Sequence, residues 1–384
     1  MEPLYTQAEL EQVEAYQAPH YVAAALDLAL WPVLLIVAAR FLTRPLWALA
    51  DRARGRVRSA VMTRVWGDDG WLPTLLFALG FFGFFALLSL PQEIWLGYVH
   101  EKAFGLSTQS ASSFVVDQLK ATLVLAASVS ALALGLFGLA RKTRHWWWMV
   151  ALAASVVLVV SIALDPFKSK LYVDQHPLEA GPLRTRLTAM LGEARIPFGD
   201  IVVVETGEKS VRVQAAFAGS GPTRTILLTD TLLAAMSEDE ILAAVAHEAG
   251  HVDEPKWPGR ILTPLGVVAL LLFIEWLFRR SVERQWFGIT TRGDVRVLPL
   301  IVLTFDLAVM AVTPVTAALS RQREREADDF AVKLTKQPRA LASLLTRVGR
   351  INRVDPNPPR WYVWSGVTHP TIPERVERAL TQQP

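Results

Sequence analysis

Cysteine is absent from this chain of 384 residues, and histidine occurs only seven times. Without cysteine there is neither a disulfide framework nor a zinc site built on thiolates, so any metal site must use His, Glu or Asp as ligands. Charged residues make up 20% of the chain, whereas hydrophobic residues make up 52%. No internal repeat or low-complexity tract is evident. The distribution of the apolar residues along the chain therefore indicates which class of protein this is.

The apolar residues are clustered into runs that are each long enough to cross a hydrocarbon core as a helix, which needs about 20 residues. Six spans are predicted: residues 21–41, 71–90, 121–140, 146–164, 261–278 and 297–319. Tryptophans at span edges, such as Trp71, Trp95 and Trp146, suit the headgroup layer. The first span starts late and lacks a basic leader, so it is not expected to be a cleaved signal. The pattern predicts a multi-pass protein of the lipid bilayer.

The formal net charge of +3 does not indicate nucleic-acid binding, because the basic residues gather at the ends of the apolar spans. They concentrate in three basic loops, at residues 44–64, 141–144 and 279–296. By the positive-inside rule these loops are cytoplasmic. Both termini and residues 165–260 are then extracytoplasmic, and the expected location is a bacterial inner membrane.

Three predicted spans contain an acid, at Asp27, Glu275 and Asp306. A carboxylate facing lipid is costly, so these groups are expected to face a protein interior or water. They either line a wet space between the helices or are neutral or hydrogen-bonded between packed helices. No catalytic role is assigned to them.

The segment His247-Glu248-Ala249-Gly250-His251 carries the clearest chemical signal. Two imidazoles four residues apart share one helix face and can bind one Zn²⁺, while Glu248 stays free to polarise a water. Ser237-Glu238-Asp239-Glu240 reads as a capping box that begins this helix. The alternative is an ordinary helix that happens to carry two histidines.

A charged helical stretch after the sixth span, residues 321–330, returns to the same face as this motif. A catalytic zinc has three protein ligands and an open position, and Glu324 is the predicted third ligand. Asp328, one turn further, is suited to hold the free ring nitrogen of a ligating histidine. A solvated charged helix is the alternative. Further on, His369 is a candidate for substrate contact, although a lone histidine is usually structural.

A small β element is predicted before the zinc helix. Residues 201–205 and 225–229 read as short strands, separated by a Gly-rich turn around residues 219–222. Such a strand could hold an extended peptide through its backbone.

Taken together, these motifs resemble those of integral-membrane gluzincin metalloproteases of the CAAX prenyl endopeptidase type, from about residue 71 to the end. The resemblance rests on the 247–251 motif, on Glu324-Arg325-Glu326-Ala327-Asp328, and on Thr368-His369-Pro370 with Arg375; Glu101–Gly105, Asp117 with Lys120, and Asp230–Leu233 also look similar.

The resemblance implies one Zn²⁺ per chain and a water-filled chamber within a ring of helices. The implied ligands are His247, His251 and Glu324, with Glu248 as the general base and Asp328 behind the ligands. His369 and Arg375 would line the site and help to stabilise the tetrahedral intermediate.

Two features depart from the family pattern. Gln214 stands where family members carry an asparagine near the strand that borders the site. Family members also have seven spans and a cytosolic catalytic face, whereas six are found here. The resemblance thus implies a cytoplasmic site, and the loop charges predict an extracytoplasmic one.

The expected fold is mainly α: a polytopic helical membrane protein enclosing a chamber, with a zincin-like α+β catalytic domain. The predicted parts are a membrane region at 1–164, catalytic segments at 165–260 and 320–384, and a helical hairpin at 261–319. The predicted function is zinc-dependent endopeptidase activity on peptides or membrane proteins, which include lipid-modified ones. Quality control of membrane proteins is one alternative, and a zinc-stabilised scaffold without hydrolysis is another.

Overall fold

The computed structural model describes residues 4–57, 60–66, 70–153, 155, 174–219, 221–252, 254 and 257–382. The helices of the first half are α1 (Gln7–Val37), α2 (Thr43–Asp51), α3 (Ala60–Trp66), α4 (Trp71–Ile94), α5 (Glu101–Ala103), α6 (Ala111–Lys142) and α7 (residues 146–153). Those of the second half are α8 (Pro182–Glu193), α9 (Asp230–Ala235), α10 (Glu238–Gly250), α11 (Trp257–Glu283), α12 (Leu298–Thr335), α13 (Pro338–Ile351), α14 (Arg360–Gly366) and α15 (Ile372–Thr381).

Five of the described helical segments are long and apolar enough to cross a membrane: Gln7–Asp51, Trp71–Ala103, Ala111–Lys142, Ile261–Glu283 and Val295–Thr335. They contain the first, second, third, fifth and sixth predicted spans, and the prediction of apolar membrane helices is confirmed there. The fourth predicted span begins in α7, but its residues 154 and 156–164 lie outside the described part of the chain.

The predicted strands are present as β2 (Asp200–Val204) and β4 (Thr225–Thr229), which pair in parallel. Two further strands, β1 (Gln175–Pro177) and β3 (Ala215–Ala218), complete the order β1-β2-β4-β3. The segment between the predicted strands is therefore more than a turn: it contains β3, which pairs antiparallel with β4. Gly219 and Gly221 have positive φ angles and join these two strands.

Two separate hydrophobic cores hold the molecule together. In the catalytic part, Ile201 and Leu228 of the sheet pack with Leu191 of α8 and Val245 of α10, and all four are fully buried. Tyr5, just before α1, belongs to this same core, so the chain at Tyr5 is packed against the catalytic part. The second core lies among the membrane helices and is rich in aromatic rings: Phe77, Phe81, Phe137, Trp146 and Phe278.

The acids within the spans have different surroundings. Glu275 accepts hydrogen bonds from Trp146 Nε1 at 2.7 Å and Arg279 Nε at 2.9 Å, so at this position the packed alternative is the observed one. Asp27 accepts a hydrogen bond from Gln92 Nε2 at 3.2 Å. Asp306 Oδ2 is buried and has no hydrogen-bond partner among the described residues.

Candidate active site

Helix α10 begins with the predicted capping box. Ser237 Oγ accepts a hydrogen bond from the backbone of Glu240, and the Glu240 carboxylate accepts hydrogen bonds from both the backbone and the hydroxyl of Ser237. Ser343 Oγ at 2.6 Å and Arg347 Nη1 at 2.9 Å bind the same buried carboxylate. Burial alone would raise the pKa of Glu240, but these hydrogen bonds outweigh it and lower the pKa. The start of α10 is thus fixed to α13.

Gly250 lets α12 approach α10 closely. A Cβ atom added at Gly250 would lie 2.8 Å from Ala327 Cα, 3.1 Å from Ala327 Cβ and 3.2 Å from Ala327 O. Real Cβ atoms do not approach backbone so closely, so any larger residue at position 250 would force α10 and α12 apart. The contact places Glu324 and Asp328, which lie one turn apart on α12, against His247 of α10 and against His251, which directly follows α10.

Nitrogen and oxygen atoms of His247, His251 and Glu324 converge, with one such atom from each residue within 4.8 Å of the others. His247 Nε2 lies 3.4 Å from His251 Nε2 and 3.3 Å from Glu324 Oε2, and His251 Nε2 lies 3.5 Å from Glu324 Oε1. The two imidazole planes are perpendicular. Atoms of three side chains so arranged can bind a single ion.

Glu324 gives a test of whether a cation fits this position. Its side chain is buried, and Oε2 accepts no hydrogen bond from any described residue. A buried carboxylate oxygen normally has a hydrogen-bond partner, because leaving it unsatisfied costs about 1–3 kcal/mol. Two imidazole nitrogens and one carboxylate are a donor set that suits Zn²⁺. The residues present therefore fit a metal ion.

A buried ion-pair network lies behind His247. Asp328 Oδ1 is 2.9 Å from His247 Nδ1, and Arg375 binds Asp328 through two hydrogen bonds of 2.8 Å. Asp328 is fully buried and Arg375 nearly so. Burial alone would lower the pKa of His247, but the neighbouring carboxylates of Asp328 and Glu324 raise it to about 9. The network fixes the orientation of the His247 ring.

Glu248 lies between the two histidines in sequence and is half-buried. Burial raises the pKa of the Glu248 carboxyl, and the neighbouring His247 and His251 offset this only in part. His251 has its own acidic neighbour, since its Nδ1 lies 2.5 Å from Glu254 Oε1. Glu254 was not predicted from the sequence. Its spacing of three residues from His251 could have indicated that the two side chains meet.

The remaining candidate, His369, lies at the edge of this cluster. Its Nε2 is 3.5 Å from Glu324 Oε1, and its side chain is 61% exposed. Both His369 and Arg375 line a cavity of about 970 Å³ between α1, the end of α12 and the chain around α14. The structure thus brings together the three predicted ligands with Asp328, Arg375 and His369, and His369 faces the open space.

The other segments noted in the sequence lie outside this cluster. Asp117 pairs with Lys209 at 2.7 Å, and Glu101 pairs with Arg212 at 2.8 Å, so both connect membrane helices to the chain before β3. Gln214 directly precedes β3, and its side chain is exposed. Its backbone N–H donates a hydrogen bond to Thr229 Oγ1, and its backbone C=O accepts one from Thr229 N. Arg212 was not predicted, because its partner Glu101 lies 111 residues away in the chain.

Comparison with known families matches both parts of the chain. Residues 177–383 match the sequence family described as Peptidase family M48. Residues 2–167 match the family described as "CAAX prenyl protease N-terminal, five membrane helices". Together with the apolar helices, this defines a multi-pass membrane metalloendopeptidase. The chain belongs to peptidase family M48.

Individual proteins show the same relationship. The chain is 29% identical to the uncharacterized metalloprotease YhfN of Bacillus subtilis, over 77% of this chain and 71% of that one. It is 26% identical to CAAX prenyl protease 1 of Saccharomyces cerevisiae, over 76% and 68%. The crystal structure of S. mikatae Ste24p has the same fold, with a TM-score of 0.83, 22% identity, and coverage of 98% of this chain and 90% of that one.

Proposed function

We propose that this protein is a zinc-dependent endopeptidase in which His247, His251 and Glu324 hold one Zn²⁺ and Glu248 is the general base. The observation that carries the proposal is the convergence of two imidazoles from α10 with a carboxylate from α12. The Glu324 carboxylate supports it, because its buried Oε2 accepts no hydrogen bond from any described residue. Three protein ligands leave a further position for water or substrate, as catalytic zinc sites require.

Zinc in this site would supply Lewis-acid activation of a water and of the scissile carbonyl. Glu248 accepts the proton of the attacking water and then delivers it to the leaving amine. His369, which is exposed to the cavity, donates a hydrogen bond to the carbonyl oxygen as negative charge develops.

Asp328 and Arg375 act mainly by holding the ligands. Asp328 contacts the ring nitrogen of His247 that is turned away from Glu324, a type of contact that fixes the tautomer of a metal ligand. Arg375 neutralises the buried Asp328 carboxylate through Nε and Nη2. Its Nη2 also lies 3.6 Å from Glu324 Oε2, so its charge contributes to the electrostatic environment of the intermediate.

The substrate is proposed to be an extended peptide segment paired with β3. β3 is an edge strand of the sheet, and within the described part of the chain only β4 pairs with it. An open edge binds peptide backbone with little demand on side chains. Lipid-modified peptides and flexible segments of membrane proteins both suit such a site, and clearance of damaged membrane proteins is the alternative role. Comparing farnesylated with unmodified forms of one peptide separates these roles.

We place the protein in a bacterial inner membrane with an extracytoplasmic active site. The support is that the three basic loops meet at one end of the helices. Lys142 Nζ donates to Arg64 O, Arg141 Nε donates to Gly293 O, and Arg292 Nη2 donates to Arg144 O. Clusters of arginine favour the cytoplasmic side. The test is a reporter that is active only in the cytoplasm, fused after Thr381. If the fusion protein shows reporter activity, the active site is cytosolic, as the family resemblance implies, and the proposed orientation is wrong.

Glu248→Gln tests the catalytic proposal. We expect cleavage of a quenched peptide to fall by about 10²–10⁴-fold, because the general base is lost while the shape is kept. Zinc content and thermal stability should match those of the wild type. Retained cleavage in a preparation inhibited by chelator would exclude Glu248 as the base. Wild-type protein that binds zinc but shows no chelator-sensitive cleavage would favour the scaffold alternative.

A further inference from the structure

Helix α14 (Arg360–Gly366) forms part of the wall of the cavity that reaches His369. Tyr362, Val363 and Gly366 line the cavity. Trp361 and Trp364 do not; they are 42% and 73% exposed and lie one turn apart. One side of this short helix therefore faces the cavity, while a pair of large aromatic side chains faces away from it.

Contacts of α14 with two membrane helices fix its level relative to the bilayer. The ring of Tyr362 packs against Tyr21, the first residue of the predicted first span, with centroids 4.8 Å apart. Arg321, directly beyond the sixth apolar run, donates hydrogen bonds to Val363 O and Val367 O. The ends of two different predicted spans therefore lie beside α14. Because span ends mark the membrane–water boundary, α14 lies at the level of that boundary.

The C-terminal end of α14 reaches further into the apolar part of α12. A Cβ atom added at Gly366 would lie 3.0 Å from Thr313 Cγ2, and Thr313 lies within the predicted sixth span. Around this point α12 leaves Val312, Val315 and Leu319 more than half exposed. Helix α14, which carries the exposed tryptophans, thus adjoins a helix whose apolar surface suits a membrane and not water.

From these contacts we infer that Trp361 and Trp364 lie in the interfacial layer of the bilayer, so that α14 is a lipid-contacting wall of the cavity. Tryptophan suits this layer because its ring is apolar while its indole N–H can still meet water or headgroups. Arg360, exposed at the start of α14, can extend its charge towards the phosphates. The inference concerns lipid contact and does not depend on catalysis.

The absence of native cysteine makes a direct test possible. Single-cysteine variants Trp364→Cys and Trp361→Cys would carry a nitroxide label, and the protein would be reconstituted into phosphatidylcholine–phosphatidylglycerol vesicles. Accessibility to oxygen, which concentrates in lipid, is compared with accessibility to a water-soluble nickel chelate. Val363→Cys serves as the cavity-side control and Arg339→Cys, exposed at the start of α13, as the water-exposed control.

We expect the ratio of oxygen to nickel accessibility at positions 361 and 364 to be several-fold higher than at positions 339 and 363. A ratio at both tryptophan positions equal to that at position 339 would show that this side of α14 faces water, and would overturn the inference. Protection of both positions from both reagents would also overturn it, because a protein surface, from a second copy or another partner, would then cover the tryptophans.

Discussion

Replacing Gly250 by alanine perturbs the metal site without removing any ligand. The added methyl group would lie 2.8 Å from Ala327 Cα, so α10 and α12 must separate by about 0.6 Å to reach the 3.4 Å of ordinary van der Waals contact. The obstacle is helix backbone, which cannot rotate away as a side chain can. Such overpacking typically destabilises a protein by about 1–3 kcal/mol.

The same movement displaces Glu324 from the histidines, because Glu324 precedes Ala327 by one turn of α12. We expect the zinc affinity of Gly250→Ala to fall by about 10–100-fold, a loss typical of changes that disturb the support of a ligand. Competition with a fluorescent zinc chelator, on protein purified in detergent, measures this affinity. Peptide cleavage should recover when excess zinc is supplied.

Gly266→Ala in α11 is the matched control, since a Cβ atom added there meets nothing within 4 Å among the described residues. It should leave zinc affinity unchanged. If Gly250→Ala bound zinc as tightly as the Gly266→Ala control and unfolded at the wild-type temperature, the close packing of α10 on α12 would not be what positions the ligands.

Three further outcomes follow from contacts of single side chains. Glu324→Ala should abolish stoichiometric zinc in elemental analysis, whereas Glu326→Ala, exposed two residues away, should retain it; equal zinc in both would reject Glu324 as a ligand. Asp328→Asn should weaken zinc binding by about 10–100-fold in chelator competition, because His247 loses a charged partner, and an unchanged affinity would deny that role. Glu240→Gln should destabilise the fold by about 1–3 kcal/mol at pH 7 in chemical unfolding. Since the folded-state pKa of Glu240 is lowered, its contribution exists above the unfolded-state pKa and is lost as the pH falls through the folded-state value. The difference from wild type should therefore shrink under acid, and a difference independent of pH would contradict it.

The candidate metal site could be recognised in the sequence because its signals are local. Each signal is a pattern within about one helical turn. The signals are two histidines four residues apart, a capping box, and Glu324 one turn before Asp328. The predicted third ligand needed one additional step: without cysteine, a charged stretch that returns to the same side of the membrane can supply it. The structure places Glu324 beside the histidines accordingly.

Strand β3 could not be predicted from local pattern. Its sequence, Ala-Ala-Phe-Ala, has neither the alternation nor the β-branched residues that indicate a strand, and all four residues are half-buried. Pairing with Ile226 and Leu228 of β4 makes it a strand. Tertiary context likewise decides the need for glycine at position 250, because Ala327 is distant in sequence.

Helix α12 explains why the metal site and the membrane part form one unit. Its 38 residues extend about 57 Å at 1.5 Å per residue, whereas a hydrocarbon core is about 30 Å thick. The helix therefore continues well beyond the membrane, and Glu324 and Asp328 lie on that projecting part. The distance of Glu324 from the membrane is set by the anchoring of α12 in lipid. Its distance from α10 is set by the contact between Gly250 and Ala327. A catalytic part cut away from the membrane helices would lose the first of these constraints.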